Sequence, residues 1–358
     1  MELTWGEDFA ALTDVSKSVF ARYSPLEDRS NTVAFADQVS QFAELGWLQL
    51  GDANGTNEDG AALGTIAAVF VEMGRALAET PLLDLTVARD AATLAGTPAA
   101  TELATRIGDG DAVVVPAFLT GNWGSAVTVD RGTASGRVLG VGYADRAESF
   151  LVHAVEAGES LLLHVETADA KIEPMPNVGG YPMFGMTLPG VTVVDERILA
   201  RGADADRAID RASQRGAVLR AAQVYGAGMR LLDMTVQYAK QRHQFGGAIG
   251  RFQAVQYLCT DIAVNAHVTS AHTRAAAAAL DAGDDGRPYV DLMRNQAALT
   301  AREMVHCAHE VHAGIGYMVE SDVHLFTNAA KRWQYDFGDA AENNRSIVSA
   351  ITRIYEGA

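Results

Sequence analysis

The sequence predicts an α+β chain: a helical N-terminal domain over residues 1–111, a middle β-sandwich or small barrel over 112–200, and a C-terminal four-helix bundle over 201–358. Three observations carry that prediction. Apolar residues recur at three- and four-residue steps up to about Gly108, and again after Asp204. Between Ala112 and Leu199 they fall instead into short β-rich runs separated by Gly and Pro. From Asp204 to Arg287 there is no proline, so nothing interrupts a helical period.

In chain order, Asp37-Gln-Val-Ser-Gln-Phe-Ala-Glu-Leu-Gly46 reads as an amphipathic helix closed by a C-terminal glycine. A second helix runs from Thr65 to Ala78, and Thr80-Pro81 stops it. Strands are expected at Val113–Val115, Arg137–Val141, Ser149–His153, Ser160–Val165 and Val191–Val194, paired antiparallel. Long helices follow over Asp206–Gln244 and Phe252–Ala282, then from Pro288 to about Gly314 and from Ser321 to about Gln334.

At 358 residues and 48% hydrophobic, the chain buries a large core in more than one packed unit. A net charge of −17 excludes a nucleic-acid footprint and an anionic membrane surface. Any bound phosphate must therefore meet a local Arg or a helix N-terminus, not a general positive field. Cys259 and Cys307 read as reduced, buried thiols of a cytoplasmic protein. The acidic opening from Met1 to Asp8 has no apolar segment and predicts no signal peptide. No 18-residue apolar run predicts a membrane helix.

The most informative stretch is Tyr238-Ala-Lys-Gln-Arg-His-Gln-Phe-Gly-Gly-Ala-Ile-Gly-Arg-Phe-Gln253, a helix end, a glycine-rich turn and a new helix start. Arg242 offers a planar fork suited to a diphosphate, and Phe245 a flat apolar face for a ring system. Gly246 and Gly247 are expected to let the backbone turn with positive φ. A second block, Cys307-Ala-His-Glu-Val-His-Ala-Gly-Ile-Gly-Tyr317, places Gly314 and Gly316 at a helix end, where free backbone amides suit a polar cofactor edge. His306, His309 and His312 beside Cys307 invite a metal reading, but successive i+3 steps drift around the helix and no His-Glu-x-x-His or Cys-x-x-Cys pairing is present. They are read as polar residues beside a cofactor or an interface, with no metal. Gly140-Val-Gly142 lacks the third glycine of a dinucleotide fingerprint.

Both blocks, in this order and separation, resemble the acyl-CoA dehydrogenase family: the first its Arg-x-x-Phe-Gly segment, the second its Ala-x-Gln-x-x-Gly-Gly-x-Gly-Tyr turn. The resemblance is specific over about Asp204 to Arg345; before that it is one of element order and composition. It implies FAD as cofactor, with Arg242, Phe245, Gly246, Glu310, Gly314 and Gly316 lying against the flavin nucleotide of an adjoining subunit. Glu310 stands where the family has Gln, and Ala313 where it has the first Gly.

The family also needs a carboxylate to take the substrate α-proton. Counted forward from Gly314, its usual Glu-Gly seat falls on Phe337-Gly338; counted back from Arg242, the second seat falls near Gly216-Ala217. Neither holds a carboxylate. The family's flavin-cradling Thr-Glu-Pro-x-x-Gly-Ser-Asp is reduced to Thr120-Gly-Asn-Trp-Gly-Ser-Ala126. Groups that reach a neighbour's flavin are kept, while those that hold the chain's own are degraded. The resemblance is therefore to the smaller, non-catalytic subunit of the actinobacterial heterotetrameric type, which implies a homologous catalytic partner in an α2β2 assembly, shared FAD, and an acyl-CoA thioester substrate such as a steroid side-chain CoA. Two other readings stay open here: a self-sufficient enzyme whose base is displaced to Asp336, Asp339 or Glu342, and a flavin-free structural protein on the same fold.

Overall fold

Helices come first, strands second and helices again last. A computed structural model of the chain describes residues 9–29, 33–51, 53, 62–119, 125–284, 286–338 and 340–356. The first group is α1 (Phe9–Ala21), α2 (Phe35–Glu44), α3 (Leu63–Arg75), α4 (Leu82–Ala95) and α5 (Pro98–Gly108). The strands are β1 (Val114–Pro116), β2 (Ser125–Asp130), β3 (Thr133–Gly142), β4 (Ser149–Glu156), β5 (Glu159–Glu166), β6 (Lys171–Pro174), β7 (Met183–Thr192) and β8 (Ile198–Arg201). The last group is α6 (Gly202–Gln241), α7 (Gln253–Asp281), α8 (Arg287–His312), α9 (Val323–Asp336) and α10 (Ala340–Glu356). By internal contacts the chain forms two units: Met1–Thr32 with Ala62–Glu79 and Ala217–Ala358, and Val33–Ala61 with Thr80–Gly216.

The second of these units is built on one sheet in the order β6-β7-β3-β2-β4-β5-β8, with β1 beside β4. Its hairpins follow from two-residue turns with positive φ at both central positions, Arg131-Gly132 between β2 and β3 and Ala157-Gly158 between β4 and β5. That turn matches the right-handed twist of the strands it joins. The expected all-antiparallel pairing is corrected: β1 and β2 both run parallel to β4, because neither is joined to it by a hairpin. β2, β6 and β8 were not among the expected strands. Gly140, at φ +80, sits where the β3–β7 register skips from Leu139 to Val141, so Gly140-Val-Gly142 is a bulged strand and not a phosphate loop. Phe150, Val152, Leu161, Leu163, Val165 and Met186 fill the core beneath this sheet. The N-terminus of α5 is capped by Thr97, whose hydroxyl accepts from the Ala100 amide, with Pro98 at the first helical position.

In the other unit, α3 and α6 meet through reciprocal glycines. A Cβ on Gly74 would fall 1.9 Å from the Gln223 carbonyl oxygen, and one on Gly226 would fall 1.9 Å from that of Val71. No side chain larger than hydrogen fits there. The Asp281 carboxylate at the end of α7 accepts from the Leu63 amide at 3.0 Å, satisfying an orphan donor at the start of α3. Four C-terminal helices match the expected ones to within a few residues, and α10 is a fifth. Cys307 is buried as expected, with its thiol pushed up to about 11 chiefly by burial; Cys259 is only half-buried, because it lies toward the outer side of α7. No helix among the described residues is long and apolar enough to cross a membrane.

Candidate functional site

The first candidate segment begins where α6 ends. The Arg242 amide donates to the Tyr238 carbonyl at 2.8 Å, and the Arg242 carbonyl accepts from the Ile249 amide at 2.8 Å, closing a tight loop. Inside it, His243-Gln244 pairs antiparallel with Gly247-Ala248. The turn residues are Phe245 (φ +54) and Gly246 (φ +85). Gly247, expected as a second positive-φ residue, is not one. A Cβ there would lie 2.9 Å from the Arg251 guanidinium, the far end of a flexible side chain. Phe245 carries the unfavourable backbone instead, and its carbonyl accepts from Arg251 Nη2 at 2.5 Å. That guanidinium also lies over the Phe252 ring at 4.9 Å, and Phe252 meets Phe245 edge to face. The result presents Phe245 at 85% exposure beside an exposed Arg242 that has no ion pair among the described residues. A cation without a counter-ion next to a bare aromatic face, on a backbone held in shape, fits a nucleotide's diphosphate and ring.

The second segment caps α8. His312 is its last residue, and Ala313 follows with φ +53 and ψ −140, a conformation that glycine tolerates and alanine does not. The backbone at Ala313 is therefore one that favours glycine. Residues Ala313–Tyr317 form one 3₁₀ turn, with Gly314 exposed and Gly316 buried. Gly316 is sterically required: a Cβ there would lie 2.9 Å from His309 Nδ1. A Cβ on Gly314 would meet nothing within 4 Å, so the space above this exposed residue is open. Glu310 is exposed on the last turn of α8. As a carboxylate it accepts hydrogen bonds but cannot donate the amide protons of a Gln.

Two ring stacks order these segments. His312 stacks on Tyr238 at 4.4 Å, tying the end of α8 to the last turn of α6 and so to the base of the Arg242 loop. Its Nδ1 lies 2.8 Å from the Ala308 carbonyl. His309 stacks on Tyr317 at 4.3 Å, and its Nε2 lies 2.7 Å from the Thr327 hydroxyl. Burial pushes both imidazoles below the usual histidine range, and for His309 the neighbouring histidines add to it. Tyr238, Arg251 and Thr327 were missed in the sequence, because their roles depend on loops folding back on helices.

The two positions expected from the sequence as seats for a base hold Phe337 and Gly216. Phe337 is 2% exposed, and its carbonyl accepts from Asn343 Nδ2 at 3.2 Å. Its neighbour Asp336 is held between two guanidiniums, with Oδ2 3.1 Å from Arg220 Nε and 3.5 Å from Arg332 Nε. In the sheet-bearing unit, a Cβ on Gly216 would fall 2.6 Å from Val87 Cγ2, so no larger side chain fits the second seat. Arg215, just before it, is buried against Asp90 at 2.7 Å. Glu342 is exposed on the first turn of α10. Asp339 and residues 120–124 of the reduced cradle lie outside the described residues.

Residues 207–349 match the family model for the acyl-CoA dehydrogenase C-terminal domain. The chain is 30% identical to the acyl-CoA dehydrogenase IpdE2 of Mycobacterium tuberculosis over 311 residues, covering 85% of this chain and 80% of that protein. It is 28% identical to the acyl-CoA dehydrogenase FadE28 of the same organism over 205 residues, which span 56% of this chain and 57% of the relative. In fold it is similar to a chain of the ChsE4-ChsE5 complex from M. tuberculosis, with a TM-score of 0.86 at 24% identity over 98% of this chain and 99% of that one. With a relative of that identity matched over most of its length, the chain belongs to the acyl-CoA dehydrogenase family.

Proposed function

We propose that this chain is the non-catalytic subunit of a flavin-dependent acyl-CoA dehydrogenase, and that it completes the FAD site of a homologous catalytic partner in an α2β2 assembly. One observation supports the reading: Phe337, at the position expected from the sequence for the base, is buried, and the adjacent carboxylate, Asp336, is paired with Arg220 and Arg332. The same ion pairs argue against Asp336 as a displaced base, because its Oδ2 is already engaged by Arg220 and Arg332. The bare Arg242 and Phe245 argue against a flavin-free structural protein.

When bound, FAD supplies the acceptor for the hydride that leaves the acyl-CoA β-carbon. This chain's own part is binding. Arg242 holds the diphosphate, Phe245 packs on a ring face, Gly246 lets the backbone pass close, and Glu310, Gly314 and Gly316 line the polar edge. Proton removal from the α-carbon falls to the partner. The likeness to a chain of a two-component complex supports a partner of the same fold. The substrate proposed is an acyl-CoA thioester with a bulky steroid side chain, shaped mostly by the partner's walls.

The test is co-expression with a longer homologue that keeps the Glu. The pair should co-purify with flavin and oxidise acyl-CoA, whereas this chain alone should hold no flavin and turn nothing over. A lone chain carrying stoichiometric flavin and oxidising acyl-CoA overturns the reading.

A further inference from the structure

His309 is the one member of the α8 histidine group whose ring is engaged on three sides. One edge meets the Thr327 hydroxyl at 2.7 Å, one face meets Tyr317 at 4.3 Å, and the remaining edge, Nδ1, abuts Gly316. Nδ1 is buried and has no hydrogen-bond partner among the described residues. Tyr317 is otherwise 73% exposed, so the imidazole is its main support. We propose that His309 is a positioning residue: its neutral ring holds the Ala313–Tyr317 turn in the shape that meets the cofactor, and protonation of the ring releases that turn.

The chemistry follows from the count of N–H groups. A neutral imidazole places its single N–H on Nε2, toward Thr327, and leaves a bare lone pair at Nδ1. A protonated ring has an N–H at both positions, and the one on Nδ1 would point at the Gly316 backbone with no acceptor, burying an unsatisfied donor and a charge together. The titratable groups facing it are His306 and His312 on its own helix, His324 on α9 and Tyr317 on the turn. None of these is a carboxylate that would welcome the proton. Burial first, and then the neighbouring histidines, hold the ring below the usual range. The sign is therefore fixed. The ordered turn is fully favoured above the ordinary histidine pKa, about 6.5, and is lost progressively as the pH falls below it. His312 differs, because its Nδ1 already faces the Ala308 carbonyl.

The inference rests on the proposed flavin contact for its consequence, and its test separates the two. Amide hydrogen exchange of residues 313–318 is measured in the full-length protein, with whatever partner co-purifies, at pH 7.5 and 5.5 and corrected for intrinsic exchange. Protection in the wild type should fall with acid by up to about tenfold per pH unit below about 6.5, levelling off once the ring of the ordered turn itself titrates. His309→Gln keeps a polar edge for Thr327 but cannot titrate, so its protection should not change with pH; flavin retention should follow the same two patterns. Thr327→Val should loosen the turn at both pH values, which identifies the tether even if the Gln variant folds poorly. An acid loss that persists in His309→Gln, or that is abolished by His312→Gln instead, overturns the proposal. A preparation that contains the partner but no flavin counts against the proposed function, while the exchange measurement still decides the role of His309.

Discussion

Arg220 of α6 and Asp336 of α9 meet with Nε and Oδ2 3.1 Å apart, one residue before the buried Phe337. The pair makes Asp336 a structural carboxylate. Asp336→Asn would remove the Asp336 counter-charge from the nearly buried Arg220 guanidinium, which also faces Glu79. Because Asp336 is itself partly exposed, the expected loss is about 2 kcal/mol, below that of a fully buried pair. Urea unfolding of the purified protein checks this. A variant of unchanged stability that lacks turnover would instead mark Asp336 as the base.

Phe337→Glu should fail to create a second active site. It puts a carboxylate into a position that is 2% exposed, so a loss of at least about 3 kcal/mol is expected, with no gain in turnover by the complex. Stopped-flow flavin reduction per complex is the measurement, and a doubling of reducible flavin is the adverse outcome.

Ala313 is strained by its backbone, at φ +53 and ψ −140. Ala313→Gly should stabilise the protein by about 1 kcal/mol, the relief of strain exceeding glycine's extra freedom in the unfolded chain. The denaturation midpoint should rise with the slope unchanged. A lower midpoint would mean that the turn gains nothing from glycine.

Arg242→Ala should weaken flavin retention by the complex about ten- to a hundredfold, the equivalent of about 1.5–3 kcal/mol for a charge-assisted phosphate contact. Lys should rescue this only in part, since a point charge cannot reproduce the planar fork. The flavin-to-protein ratio decides, and an unchanged ratio would leave Arg242 as a solvated surface charge.

What the sequence made legible follows from how local each signal is. The helices α6 to α9 were readable because their period is carried within each segment and no proline breaks the long ones. α10 was not separated, since its opening Ala-Ala-Glu-Asn-Asn-Arg is polar and its apolar positions start only at Ile347. β2 escaped because Ser125–Asp130 is a short edge of alternation, and its parallel pairing with β4 is set by partners distant in sequence. In the site, Arg242 and Phe245 were readable as a spacing. Which residue takes the left-handed turn was not, because the order Phe245-Gly246-Gly247 does not say which of the three the closed loop puts at positive φ. Of the two histidine–tyrosine stacks, His309–Tyr317 depends on a turn lying back over its own helix and His312–Tyr238 on two helix ends meeting, and no local pattern encodes either.

The glycine-to-carbonyl crossing of α3 and α6 bears on how this protein can be cut. The stretch that matches the family's C-terminal domain, 207–349, excludes Leu63–Arg75. Expressed alone, it would present on α6 a furrow at Gln223 and Gly226, shaped for another backbone and stripped of its occupant. Autonomy therefore does not follow the linear domain boundary: an independently soluble fragment has to carry α3 along, joined to the bundle by a permuted connection or supplied as a separate peptide.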